Sequence, residues 1–119
     1  MNAKLTYYKD DDGNSRVKSE AATDWPLVRF IDGDIQGNPD LCRRVLDNAL
    51  SVKTGKKNEW KMIGNAFTTT VMPNKVKLVN HYQNTNAEIT FDDFIQAVSG
   101  WLAFLESPQK RKDSPNLPR

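Results

Sequence analysis

The sequence predicts an α+β domain in which an antiparallel sheet carries about three helices, in the order β-β-α-α-β-β-β-α. Three observations lead there. The segment Ile89–Glu106 places Phe91, Phe94, Ile95, Val98, Trp101, Leu102 and Leu105 at spacings of three and four, so they share one helical face. Three short alternating runs lie upstream, separated by turn residues. Two further helix starts each combine a capping side chain with a proline.

In chain order, Leu5–Tyr8 is rich in strand formers and leads into Asp10-Asp11-Asp12-Gly13-Asn14, whose Asp-Gly step favours a hairpin turn. Arg16–Ser19 is the expected return strand. Thr23-Asp24-Trp25-Pro26 then opens a short helix that turns Leu27, Phe30 and Ile31 inward and ends near Gly33. Asn38-Pro39 opens a second helix, with Leu41, Cys42, Val45, Leu46, Ala49 and Leu50 as its apolar stripe and Gly55 near its stop. Glu59–Ile63, Phe67–Met72 and Val76–Tyr82 read as strands joined at Gly64-Asn65 and Pro73-Asn74. Joints this short make them an antiparallel meander with helices on one face. Asn84–Asn86 is a polar break, after which Thr90 and Asp93 form the capping start of the last helix.

Residues 1–106 are therefore expected to form a single domain. Residues 107–119, with three prolines and no aromatic residue, are expected to be a disordered basic tail. That tail carries four basic residues against one acidic, so the net charge of +2 conceals a body of net charge −1. A nucleic-acid binder usually shows a basic face, and here the basic excess sits on the tail. No apolar run approaches the ~20 residues that span a bilayer. The acidic cluster follows the N-terminus with no signal-like apolar stretch before it, and Cys42 has no cysteine to pair with. Cytoplasmic residence is the expectation.

The residues that usually carry catalysis are scarce. Cys42 and His81 are single members of their kinds. Cys42 falls in a helical apolar stripe and is expected to be an inert core thiol. His81 falls on a strand with Lys77 and Val79 on its own face and is expected to be exposed. A calcium loop starting at Asp10 would need glycine at its sixth place and glutamate at its twelfth, where Ser15 and Ala21 stand. The six glycines are scattered and make no phosphate-binding loop. No enzyme activity, metal or cofactor is expected. Gly100, inside a helix, implies the close approach of another backbone, and Trp25, Trp60 and Trp101 are expected in the core.

What remains is surface. Asp32, Asp34, Asp40 and Asp47 give the helical region an acidic character, and Asp10, Asp11 and Asp12 add to it if the first hairpin packs nearby. Carboxylates near helix N-termini are favourable with the helix dipole, which suits Asp24 and Asp40. Clustered on a surface, they also suit contact with a basic protein.

Trp60, the Gly64-Asn65 step, the alternating Phe67–Met72 and Val76–Asn80 strands, Phe94 and the Trp101–Phe104 pair together resemble the pattern of the small bacterial YacL family. The N-terminal runs YYKDDDGNSR and DWPLVRFIDGDIQGN look more like YacL-related immunity proteins of contact-dependent inhibition and other polymorphic toxin systems. The resemblance spans roughly residues 5–105. It implies a cytosolic α+β protein without catalysis of its own, an immunity protein that binds the C-terminal domain of a cognate toxin, such as a nuclease. The alternative it implies is a housekeeping YacL-like protein that binds RNA or a ribosomal partner, with Lys110–Lys112 in contact.

Overall fold

The computed structural model describes residues 4–83 and 86–107. Strands β1 (Leu5–Lys9) and β2 (Ser15–Ser19) pair antiparallel, with Tyr7 opposite Val17. The turn between them has Gly13 at φ +84°, a conformation that glycine adopts at no steric cost. The expected elements follow in the expected order, with one further strand before the last helix, and the expected basic tail, from residue 108 on, lies outside the described residues.

Helix α1 (Trp25–Arg29) runs directly into a π-helical segment, Phe30–Ile35. The helical path thus continues past Gly33, and the Gln36 N–H closes a five-residue turn on the Ile31 carbonyl at 2.7 Å. Neither Thr23 nor Asp24 caps α1. The Asp24 carboxylate is buried and accepts the Lys4 N–H at 3.0 Å and the Ser19 hydroxyl at 2.6 Å, which ties both hairpin strands to the helix start.

Helix α2 (Pro39–Lys53) begins as expected, with Asn38 Oδ1 accepting the Leu41 N–H at 3.1 Å. Cys42, Val45, Leu46, Ala49 and Val52 are buried, whereas Leu50 turns outward. Helix α3 (Phe91–Glu106) is capped by Thr90, whose Oγ1 accepts the Asp93 N–H at 3.1 Å. It buries Phe91, Phe94, Ala97, Val98 and Trp101.

Strands β3 (Trp60–Ile63), β4 (Phe67–Val71), β5 (Lys75–Asn80) and β6 (Asn86–Thr90) form one antiparallel sheet in sequential order. The meander therefore has four strands, and the segment around the expected polar break supplies the fourth. The β1–β2 hairpin remains a separate two-stranded sheet. Phe67, Val71, Val76 and Leu78 on the inner face of the larger sheet join residues of α2, α3 and the π segment in one core. Burial of these side chains, at about 25 cal/mol per Å² of apolar area, is the main stabilising contribution.

Two contacts of the Tyr7 side chain attach the hairpin to α3. The Tyr7 hydroxyl donates to the Ala97 carbonyl at 2.7 Å, and its ring lies against Gly100, where a Cβ would meet the Tyr7 oxygen at 2.8 Å. The close neighbour that demands Gly100 is thus a side chain rather than a backbone. Trp101 is fully buried and donates its indole N–H to the Gln36 carbonyl at 2.8 Å, and Trp60 is partly buried. Trp25 departs from the expected core position: it is 45% exposed and meets Phe67 edge to face. No described helix is long and apolar enough to cross a membrane.

Candidate functional site

The tip of the hairpin is built by Asp10. Its Oδ1 accepts the N–H groups of Asp12 at 3.0 Å and Asn14 at 2.9 Å, the arrangement by which aspartate stabilises a turn through its own backbone. The hydrogen bond from the Asn14 backbone, then that from Asp12, then the nearby Arg16 charge hold its carboxyl below the usual range. Asp11 and Asp12 are exposed beside it.

Arg16, on the return strand, joins the hairpin to the π segment. Its Nε and Nη2 reach Asp32 Oδ1 and Oδ2 at 3.2 and 2.9 Å, while Nη1 lies 3.6 Å from Asp10. This two-pronged contact matches the planar guanidinium to the carboxylate. Asp10 and Asp32, distant in sequence, are thereby brought to one place. Two carboxylates thus share one guanidinium, with Asp11 and Asp12 next to Asp10 in the exposed turn.

The other helical carboxylates do not join them as expected. Asp34 is buried, and both its oxygens are engaged: Oδ1 accepts the Ala66 N–H at 2.6 Å and Oδ2 the Phe67 N–H at 3.1 Å. It is a clamp on the β3–β4 turn, not a surface contact, and this corrects its assignment as a partner-binding residue. Asp40 is exposed in the first turn of α2, 3.5 Å from Arg43, which also pairs with Glu106. Asp47 is exposed on the same helix, where Arg43 and Arg44 are exposed as well. The outer face of α2 is therefore of mixed sign rather than acidic.

Reactive side chains are not gathered. Cys42 is fully buried, its Sγ 3.5 Å from the Val98 carbonyl, and burial pushes its thiol up to about 11. It stays protonated near neutrality and is a poor nucleophile. His81 lies one residue past β5, exposed, with Nε2 2.9 Å from the Thr68 hydroxyl. Among the described residues, no three His, Cys, Asp or Glu side chains converge as metal ligands would.

Arg16 was the residue that sequence reasoning passed over. Its alternation on an exposed strand face gives no sign that a carboxylate from another element will meet it. Asp34 misled for the reverse reason, since nothing local distinguishes it from Asp32. Comparisons with protein-family models, with curated proteins and with solved structures return no match for this chain.

Proposed function

We propose that this chain is an immunity protein: a stoichiometric inhibitor that binds a cognate toxin domain, with a nuclease as the favoured target. The observation that carries the reading is the carboxylate-rich end formed when Arg16 draws Asp10 and Asp32 together beside Asp11 and Asp12. A nuclease presents positive charge to its phosphate substrate, and a carboxylate-rich surface opposes it at the same place. Complementary charge of this kind raises the association rate and selects the partner. The buried thiol and the exposed, hydroxyl-bound histidine fit a binding role. The resemblance of the N-terminal runs to YacL-related immunity proteins points the same way.

The test is a toxicity rescue. The C-terminal domain of the protein encoded immediately upstream is expressed in cells with and without this chain. The expected result is specific protection, with the two proteins co-purifying one to one. Absence of both protection and complex overturns the reading.

A further inference from the structure

The exit of the π segment holds an unusual backbone conformation. Gln36 has φ +60° and ψ −155°, and among the described residues it is the one non-glycine with a positive φ. That region is open in practice to glycine alone. A glycine does follow, but one place on: Gly37 does not take a positive φ. The strain is therefore imposed on Gln36 by what holds it.

Three hydrogen bonds do so. The Gln36 N–H donates to the Ile31 carbonyl at 2.7 Å and closes the last π turn. The Gln36 side-chain amide donates to the Gly33 carbonyl at 2.9 Å. The Gln36 carbonyl accepts the indole N–H of the buried Trp101 at 2.8 Å. The first bond fixes the Ile35–Gln36 peptide plane, and with it the positive φ. The third fixes the next peptide plane against α3.

Turning over the Ile35–Gln36 peptide alone relieves the strain. Such a flip changes ψ of Ile35 and φ of Gln36 while the α-carbons and the following peptide stay nearly in place. Gln36 then has φ of about −120° with ψ unchanged, which is extended backbone, and Ile35 enters the extended region that β-branched residues favour. The Gln36 N–H turns to solvent, where this residue is exposed. Against this stand the lost bond to Ile31 and two carbonyls, of Ile31 and Ile35, brought face to face until a water separates them. The relieved strain and the lost hydrogen bond are of similar size, and the opposed carbonyls keep the flipped form in the minority.

We propose that the Ile35–Gln36 peptide is a two-state joint, strained and closed in the structure, relaxed and open in a minor state. Asp32, paired with Arg16, and Asp34, which clamps the β3–β4 turn, ride on the segment before the joint. Trp101 holds the chain after it. Opening lets the carboxylate-bearing turn shift while the chain beyond stays docked on α3, the behaviour of a hinge at the end of an element. The joint needs no partner and stands whether or not the chain is an inhibitor.

The experiment uses the full chain labelled with 15N, as wild type, Gln36→Gly and Gln36→Ala. Both substitutions remove the side-chain bond to Gly33, but only glycine removes the strain, so their difference isolates the backbone. Glycine normally loses to alanine through the entropy of the unfolded chain. Here the Gln36→Gly protein should melt higher than the Gln36→Ala protein by at least about 3 °C. Relaxation dispersion on the wild type should show microsecond-to-millisecond exchange at the amides of residues 31–37, with a minor state of roughly 0.1–10%. That exchange should be suppressed in Gln36→Gly, and the Trp101 indole N–H should show none. A Gln36→Ala protein as stable as Gln36→Gly, or a wild type without exchange at these amides, overturns the joint. Exchange that also moves the Trp101 indole overturns it too, because the whole exit then frays as one. The wild-type measurement needs no substitution, so it decides even if a variant fails to fold.

Discussion

The Asp34 carboxyl fills the space in which a side chain at Gly64 would begin: a Cβ there would lie 2.5 Å from Asp34 Cγ and Oδ2. The glycine allows the carboxylate to approach the turn closely enough to take the Ala66 and Phe67 N–H groups. One buried charge therefore fixes the start of β4 on the helical layer, and the glycine is the condition for its doing so.

Asp34→Asn and Gly64→Ala should each destabilise the fold. Hydrogen bonds to a charged acceptor contribute about 1.5–3 kcal/mol; asparagine keeps one acceptor oxygen and strands one of the two N–H groups, whereas an alanine methyl pushes the carboxylate away from both. We expect a loss of about 2–4 kcal/mol for either variant, read by urea unfolding. The double variant should lose markedly less than the two losses combined, because both changes release the same turn. Simple additivity would mean that the clamp is not one unit.

Gly100→Ala should also destabilise, although alanine is favoured over glycine within a helix by about 1 kcal/mol. The new methyl would collide with the Tyr7 ring. In a Tyr7→Ala background, whose baseline stability is lower, the Gly100→Ala change should be tolerated. If Gly100→Ala raises the melting temperature in the wild-type background, the contact is not as tight as described.

Alkaline pH should weaken the fold through one buried group and one partly buried group. Burial, and secondarily the nearby Cys42, raises the Tyr7 phenol from 10.0 to about 12, and burial raises the Cys42 thiol from 9.0 to about 11. Each is an acid that ionises more readily in the unfolded chain. Its stabilising contribution is complete below the unfolded value and is lost as pH rises through the folded one. Stability should therefore fall between pH 9 and 12. The variant Tyr7→Phe with Cys42→Ala, though less stable at neutral pH, should fall less over that window. Parallel curves for the two proteins, measured by denaturant unfolding at stepped pH, would contradict this.

Thr69 is fully buried on the inner face of β4, and its hydroxyl has no hydrogen-bond partner among the described residues. Valine has nearly the same shape and leaves no polar atom to satisfy. Thr69→Val should stabilise by about 1 kcal/mol, since an unsatisfied buried hydroxyl costs about 1–3 kcal/mol. A loss on substitution would reveal a partner for the hydroxyl in solution.

If the inhibitory reading holds, Asp11→Lys with Asp32→Lys should slow association with the toxin domain by about tenfold at low salt, and less at high salt. Stopped-flow or surface binding at several ionic strengths reads this directly. A rate that ignores both the substitutions and the salt removes the carboxylates from the interface.

Where structure is local, the residues announce it. Asn38 and Thr90 cap their helices because a side-chain oxygen two or three residues from a free N–H needs no distant help. The alternation Phe67, Thr69, Val71 likewise marks the buried face of β4 on its own. Strand β6 escapes such reading: only Ala87 and Ile89 point inward, and Thr90 both ends the strand and caps α3. Leu27, Phe30 and Ile31 are spaced identically for an α-helix and for one that widens after Arg29, so the π segment is silent in the pattern. Asp32 and Asp34 differ because of what other elements bring to them, namely Arg16 to the first and two backbone amides to the second.

A π segment holds about one residue more than the α-helix that would span the same turn. Within Phe30–Ile35 that additional residue carries a cost at its exit, where Gln36 sits at φ +60°, ψ −155°, in territory that side chains disfavour. Wound instead as a regular α-helix with the same number of residues, the segment would turn its two sides relative to each other by roughly 100°. Either Leu27 would leave the core or Asp34 would swing off the β3–β4 turn. The chain length between Leu27 and Asp34 therefore acts as a gauge. It couples the entry of the helix to the sheet, and a further residue inserted there, which the already widened turn cannot absorb, should harm the fold more than most substitutions within it.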